Sequence, residues 1–169
     1  MCALAPWNYG SGDVRKLVHM LKYERVKAAA VFLGVPLGHY AEKSLALGKI
    51  ALTNAVIVPI PLHRTKLRKR GFNQSLLIAR SLGFRDIPIY DAALLRSRPV
   101  ASQTKQKGHE MRTENVAGSF AVRDPEALRG KTVLLVDDVI TSGATMREAA
   151  LVMRRAGAKR VIGIAVARA

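Results

Sequence analysis

Three short apolar runs stand out along the chain, and each predicts a buried β-strand. They span residues 55–61, 132–136 and 160–166, and unbroken runs of this kind are typical of strands that are covered on both faces of a parallel sheet. The first run ends in prolines, which indicates a loop directly after it. A fourth run, residues 87–90, predicts a short edge strand.

Apolar residues at helical spacing fill much of the sequence between these runs. They predict helices over residues 13–33, about 37–47, 73–83 and about 144–155. Asp13 is a candidate N-cap of the first helix, and Pro36 with Gly38 predicts the break before the second. A strand, a loop, a helix and another strand over residues 132–166 form a βαβ unit. The sequence therefore predicts an α/β fold with a mostly parallel sheet flanked by helices.

The charge of the chain narrows the choice of partners. Of 169 residues, 28 are Lys or Arg and 12 are Asp or Glu, so the formal net charge is +16. A single cysteine excludes a disulfide framework and a cysteine-built zinc site in this chain. We expect no secretion signal and no membrane insertion, because no apolar run approaches the roughly 18 residues that cross a bilayer. The expectation is a cytoplasmic protein whose partners are polyanions, either nucleotide phosphates or nucleic acid.

The basic residues are concentrated in one part of the chain. Residues 61–112 hold twelve Lys or Arg and three acids, and five of those cations crowd residues 64–70. Such a cluster repels itself unless anions lie nearby, which favours an anion-binding role over a merely solvated surface. Residues 96–116 are basic and nearly free of large apolar side chains, so they are either a disordered connection or a mobile functional loop.

The stretch that carries most of the chemistry follows the 132–136 run. Asp137 and Asp138 lie at the expected carboxyl end of that strand, the edge at which open α/β sheets bind ligands. Two adjacent buried carboxylates repel and need a partner, either ribose hydroxyls or a divalent cation. Residues 141–145 then form a hydroxyl-rich turn into a helix, where N–H groups can hold a phosphate. Together these groups predict a ribose 5-phosphate site rather than a plain capped turn.

Three segments carry a resemblance to known families. Residues 133–145 resemble the signature of type I phosphoribosyltransferases, which bind 5-phosphoribosyl-1-pyrophosphate (PRPP): four apolar residues, two acids and a Thr/Ser/Gly loop. Residues 59–74, with an Arg-Gly-Phe-Asn-Gln segment, and residues 112–120 resemble the ComF family of competence-associated phosphoribosyltransferase-like proteins. Members of that family commonly begin with a cysteine-rich zinc module, whereas this chain has only Cys2. That module is either absent or part of a longer protein.

The resemblance implies roles for several groups of residues. The ribose hydroxyls would bind Asp137 and Asp138, and the 5′-phosphate would bind Thr141, Ser142, Gly143, Ala144 and Thr145. The pyrophosphate loop would contain Leu62, His63, Arg64 and Lys66, and a flexible lid over PRPP would contain Lys105, Lys107 and Arg112. The candidate DNA contacts are Arg68, Lys69 and Arg70. Mg²⁺ would arrive with PRPP and without protein ligands of its own, near the two aspartates.

The implied function is a PRPP-dependent phosphoribosyltransferase. It would transfer the 5-phosphoribosyl group to a nitrogen nucleophile and release pyrophosphate. The alternative is a non-catalytic PRPP-sensing or DNA-binding protein that acts in competence or DNA uptake, on single-stranded or double-stranded DNA. By analogy the fold would be type I phosphoribosyltransferase-like, related to the Rossmann fold, with a homodimer expected.

The predicted core spans residues 51–169, and residues 1–50 form a helical segment that can serve as a hood over the acceptor. Trp7, Tyr9 and Tyr23 in that segment either stack on an acceptor ring or pack in the core.

Overall fold

The computed structural model of the protein describes residues 2–96 and 118–169. The elements in these ranges, in chain order, are β1 (Cys2–Leu4), β2 (Trp7–Asn8), α1 (Gly12–Tyr23), α2 (Ala29–Leu47), β3 (Ala55–Pro59), α3 (Arg64–Arg70), α4 (Gln74–Arg80), β4 (Leu94–Arg96), β5 (Phe120–Val122), β6 (Thr132–Ile140), α5 (Ala144–Arg155) and β7 (Arg160–Arg168).

A parallel sheet forms the centre of the fold. Its strand order is β1–β7–β6–β3, and β2 continues along β7 beyond β1. The apolar residues of β6 and β7 are buried, apart from the half-buried Val139, as the continuous apolar runs predict for central parallel strands. Beside β3, the predicted edge strand at residues 87–90 is reduced to a single parallel bridge between Ile57 and Ile89.

Helices cover both faces of this sheet. Successive side chains of a strand point to opposite faces, so Leu134 and Val136 of β6 join a core with α1, α2 and α4. Val133 and Leu135 join a second core with α5 and the antiparallel pair β4–β5. The predicted α/β class, with a mostly parallel sheet flanked by helices, is confirmed.

The first helical region divides at a different place from the one predicted. The helix expected over residues 13–33 stops at the end of α1, and α2 continues through Pro36, so the predicted break is wrong. A Cβ on Gly38 would lie 1.8 Å from the carbonyl oxygen of Leu82. The glycine therefore permits close packing of α2 against the residues that follow α4, and it does not end the helix.

Other boundaries also differ from the prediction. Ser11, and not Asp13, occupies the N-cap position of α1. Strand β6 extends to Ile140, beyond the predicted end, because its last residues pair with the equally extended β7. The bounds of α5 agree with the prediction, whereas α3, β1, β2 and the β4–β5 pair were not predicted.

The N-terminal segment contributes to the sheet and to one of its layers. β1 and β2 pair with β7, and α2 packs against α4 and β7. Trp7 and Tyr9 pack against the core, while Tyr23 is exposed. The hood over an acceptor and the boundary at residue 51 stay predictions. Across residues 2–96 and 118–169, none of the helices has the length and apolar character needed to cross a membrane.

Candidate functional site

The acid pair lies where β6 loses one of its neighbours. β3 ends at Pro59 opposite Val136, and beyond this point β6 pairs only with β7. Asp137 and Asp138 are the next two residues, so they lie beside an opening at the carboxyl edge of the sheet. The strand itself continues past them, which corrects the expectation that the pair would end it.

Specific contacts hold both carboxylates in place. The Ser75 hydroxyl and the Asp138 N–H donate to Asp137 Oδ1 at 3.0 and 2.9 Å. Asp138 Oδ1 accepts the Val139 N–H at 2.7 Å and lies 3.0 Å from Lys22 Nζ. Asp138 is only 4 % exposed. Its second oxygen, Oδ2, is buried and has no hydrogen-bond partner in the part of the chain that the structure describes.

Burial, followed by the charge of Asp138, raises the pKa of Asp137 from 3.8 to about 7. The hydrogen bonds from the Asp138 N–H and Ser75, together with the charge of Lys22, act in the opposite direction but do not cancel the rise. Near neutral pH the pair therefore carries less than its full double negative charge. Hydroxyl donors or a cation at the free Asp138 Oδ2 would stabilise its ionised form.

The turn after β6 has the features of an anion cradle. Gly143 has a φ of 74° and stands at the N-cap position of α5, whose twelve residues follow directly. Within residues 2–96 and 118–169, the N–H groups of Thr141, Ser142 and Gly143 have no acceptor. Unpaired N–H groups at a helix N-terminus favour binding of a phosphate.

Two side chains complete this turn. The Ser142 hydroxyl accepts the N–H of Ala144 at 3.3 Å, and a guanidinium nitrogen of Arg147 lies 3.0 Å from the position of a Cβ on Gly143. Ala144 begins α5 and does not have a positive φ, so its methyl group causes no strain. Thr145 follows in the first turn of α5 and is half-buried.

The predicted pyrophosphate loop leads into a helix that the sequence did not predict. Leu62 and His63 are half-buried loop residues, and Arg64 and Lys66 lie on α3 with exposed side chains. His63 Nδ1 accepts the N–H of Thr65 at 3.3 Å and caps α3. The contact gives His63 a structural role as the cap of α3.

Contacts with the α1–α2 connection anchor α3. Arg25 donates to the carbonyl oxygen of Lys69 at 2.9 Å. Arg70 donates to Gln74 Oε1 and lies over the Tyr23 ring, 5.9 Å from its centroid. Of the three candidate DNA contacts, Arg68 and Lys69 have exposed side chains. Arg70 is half-buried and is engaged in these contacts within the protein. The predicted lid residues Lys105, Lys107 and Arg112 lie outside the described residues.

Three residues near the site were not predicted from the sequence. Ser75 comes directly after the Arg-Gly-Phe-Asn-Gln motif, and its position after the Asn73 cap was a usable signal. Arg147 lies four residues after Gly143, on the same face of α5. Lys22 has no such signal, because it is one of 28 basic residues and reaches Asp138 only through the tertiary fold.

The type I phosphoribosyltransferase class is defined by an α/β fold with a parallel sheet that has an acid pair and a turn suited to phosphate binding at its carboxyl edge. Residues 68–169 match the family model described as "Phosphoribosyl transferase domain". The chain belongs to this family, and within it to the ComF-like phosphoribosyltransferase-like proteins.

Curated relatives support this assignment. The chain is 30 % identical over 115 residues to Competence protein F of Haemophilus influenzae, covering 67 % of this chain and 50 % of that protein. It is 30 % identical over 146 residues to DNA utilization protein YhgH of Escherichia coli O157:H7, covering 86 % and 63 %. Competence protein ComFC of Bacillus subtilis is 35 % identical over 95 residues, covering 56 % and 36 %. The chain thus spans about one third to two thirds of the length of these relatives.

Proposed function

We propose that the chain binds PRPP and transfers its 5-phosphoribosyl group to a nitrogen nucleophile. The observation that carries this proposal is the buried, unpartnered Asp138 Oδ2 on the strand that leads into the open N–H groups of residues 141–143. The carboxylate would accept hydrogen bonds from the ribose 2′ and 3′ hydroxyls, and the N–H groups would hold the 5′-phosphate. The membership in the phosphoribosyltransferase family supports the same ligand.

The reaction needs positioning rather than a protein nucleophile. The bond between the anomeric carbon and the pyrophosphate oxygen breaks, its electron pair leaves with pyrophosphate, and a carbon–nitrogen bond forms while the nitrogen loses a proton to solvent. Arg64 and Lys66 on α3 lie after the carboxyl end of β3, where they would stabilise the negative charge of the leaving group. A lid containing Lys105, Lys107 and Arg112 would exclude water.

We propose that Mg²⁺ does not occupy a site built by the protein alone. Within residues 2–96 and 118–169, no group of three or more His, Cys, Asp or Glu side chains is placed to hold a metal. At the acid pair, Asp137 Oδ1 and Asp138 Oδ1 already have protein donors. Mg²⁺ would therefore enter as part of the substrate, bound to the pyrophosphate of PRPP.

The first test is a calorimetric titration of the chain with PRPP and MgCl₂, followed by measurement of pyrophosphate release with a panel of bases and amines. Asp138→Asn should lose PRPP binding, because an amide cannot accept hydrogen bonds from two hydroxyl donors as a carboxylate does. A cooperative thermal unfolding transition should show that the variant is still folded. The exposed Asp91→Asn is the matched control. Unchanged PRPP affinity in Asp138→Asn would exclude this site.

A second function, DNA binding, is favoured by the exposed cations on α3. Arg64, Lys66, Arg68 and Lys69 all have exposed side chains on one short helix. Relatives bear the names Competence protein F and DNA utilization protein YhgH. We propose that Arg68 and Lys69 of α3 contact the phosphate backbone of DNA, either beside transfer activity or in its place.

Salt dependence tests the DNA proposal. Affinity should fall steeply with salt, and Arg68→Ala combined with Lys69→Ala should reduce the slope of log K against log salt by about 2, roughly 0.9 for each phosphate that the variant no longer neutralises. Arg155→Ala combined with Lys159→Ala removes the same charge at the opposite edge of the sheet. If both double variants change the slope equally, net charge alone explains the binding and α3 is not the interface.

A further inference from the structure

Lys22 is a cation of the N-terminal segment that reaches the acid pair from outside the βαβ unit. It lies in the last turn of α1, and its ammonium is 3.0 Å from Asp138 Oδ1. The side chain is 19 % exposed, so most of it is removed from water. Val14, Val18 and Leu21 bury the adjoining face of α1, and Val18 lies one turn before Lys22, so the packing of the helix holds Lys22 at this position.

Among the residues that the structure describes, protein donors contact only the Oδ1 atom of each carboxylate in the acid pair. Asp137 Oδ1 accepts two hydrogen bonds, and Asp138 Oδ1 accepts one N–H and the Lys22 ammonium. Asp138 Oδ2 is buried and unpartnered in the described part of the chain. Within the described residues, Asp137 Oδ2 and Asp138 Oδ2 therefore remain for a ligand, and the second of them belongs to a carboxylate that already has a positive counter-ion on its other oxygen.

The ammonium of Lys22 already supplies positive charge at the acid pair, which reduces the need for a divalent cation there. A Mg²⁺ ion at the pair would lie close to the Lys22 ammonium, which already neutralises one of the two carboxylates and would repel a second cation. We propose that the Lys22 ammonium takes the place of a divalent cation at the acid pair, so that the sugar-phosphate half of the ligand binds without Mg²⁺. This inference rests on the proposed function, since it concerns how the same site holds its ligand.

The charge of Lys22 serves two purposes in this arrangement. It keeps the two neighbouring carboxylates able to accept hydroxyl donors, because it offsets their mutual repulsion. It also reduces the negative potential that a 5′-phosphate meets on entering the site. Without this ammonium, a divalent cation from solution would be needed to restore both conditions.

Ribose 5-phosphate is the probe that isolates this effect. It has the hydroxyls and the 5′-phosphate but lacks the pyrophosphate on which PRPP carries its own Mg²⁺. Calorimetric titration of the full chain should give the same dissociation constant in EDTA and in excess MgCl₂, within about twofold. Lys22→Met should bind about tenfold more weakly in EDTA, as expected when one charge-assisted hydrogen bond is removed, and MgCl₂ should restore most of the affinity.

Two variants serve as controls. Lys16→Met removes the same charge from an exposed position of α1 and should bind as the unmodified chain does. Lys22→Arg keeps the charge and should remain independent of Mg²⁺. Thermal unfolding of each variant establishes that it is folded, and the Mg²⁺ dependence of the unmodified chain tests the proposal even if Lys22→Met does not fold.

The outcomes separate this inference from the proposed function. An unmodified chain that requires Mg²⁺ for ribose 5-phosphate overturns the role of Lys22 but leaves the ligand site intact. Weakening of Lys22→Met to the same extent with and without Mg²⁺ shows a structural role only and also overturns it. If neither ribose 5-phosphate nor PRPP binds under any condition, the proposed function itself fails.

Discussion

Replacement of Asp137 by asparagine should stabilise the protein above neutral pH. The change removes a charge whose burial is unfavourable but leaves the local contacts in place, because an amide Oδ1 accepts the hydrogen bonds from Ser75 and from the Asp138 N–H as the carboxylate does. It also removes the repulsion between the two carboxylates. The variant therefore isolates the electrostatic cost of Asp137.

The magnitude follows from the pKa of about 7, raised from 3.8 by burial and by the charge of Asp138. Between these values the folded protein keeps a proton that the unfolded chain has released, so the free energy of unfolding falls as the pH rises. The slope is at most about 1.4 kcal/mol per pH unit, and the total over the window is at most about 4 kcal/mol. Above pH 7 both states are ionised and Asp137 contributes no further slope.

Urea unfolding measures this effect when it is followed by the fluorescence of Trp7, the single tryptophan, which packs against the core. The free energy of unfolding is measured for both proteins from about pH 4.5 to about pH 8.5. As the pH rises, it should fall in the unmodified chain relative to Asp137→Asn, and the variant should be the more stable protein at about pH 8.5. The exposed Asp91→Asn should run parallel to the unmodified chain. Parallel curves for Asp137→Asn, or a variant that is less stable at high pH, would refute the reasoning.

Two glycine substitutions test the packing and the turn. Gly38→Ala should destabilise the protein by at least about 3 kcal/mol in urea unfolding, because the new Cβ would lie 1.8 Å from the Leu82 carbonyl oxygen. A loss of stability below about 1 kcal/mol would mean that α2 does not pack this closely. Gly143→Ala should cost about 1–2 kcal/mol for its φ of 74° and should also weaken phosphate binding, since the Cβ would lie 3.0 Å from an Arg147 nitrogen. Gly12→Ala, which has open space around its Cβ, is the control for both and should change neither measurement.

The part of the fold that follows from local sequence is the βαβ unit at the C-terminal end. The apolar runs of β6 and β7 and the bounds of α5 are properties of short segments, so periodicity and turn signals predict them well. The two aspartates and the turn after them were predicted as neighbours for the same reason, since they are contiguous in the chain. The sequence did not predict that β6 continues past the acid pair, because this depends on its pairing with β7.

The remaining features depend on contacts between distant segments. Pro36 and Gly38 have the local character of helix breakers, and only the packing of Gly38 against Leu82 explains why α2 continues through them. Lys22 meets Asp138 because α1 packs over the carboxyl edge of the sheet, and no spacing in the sequence encodes that approach. The short strand β1 has no alternating pattern of its own, and its partner β7 lies at the other end of the chain.

The pairing of β1 with β7 also has a consequence during protein synthesis. Residues 2–4 pair in register with residues 162–164, so β1 has no partner until β7, far along the chain, has been translated. At about 5–20 residues per second, that interval lasts on the order of ten seconds or more. The nascent chain is therefore expected to complete its sheet only after β7 has left the ribosome, and a chaperone that shields apolar segments would raise its yield of folded molecules.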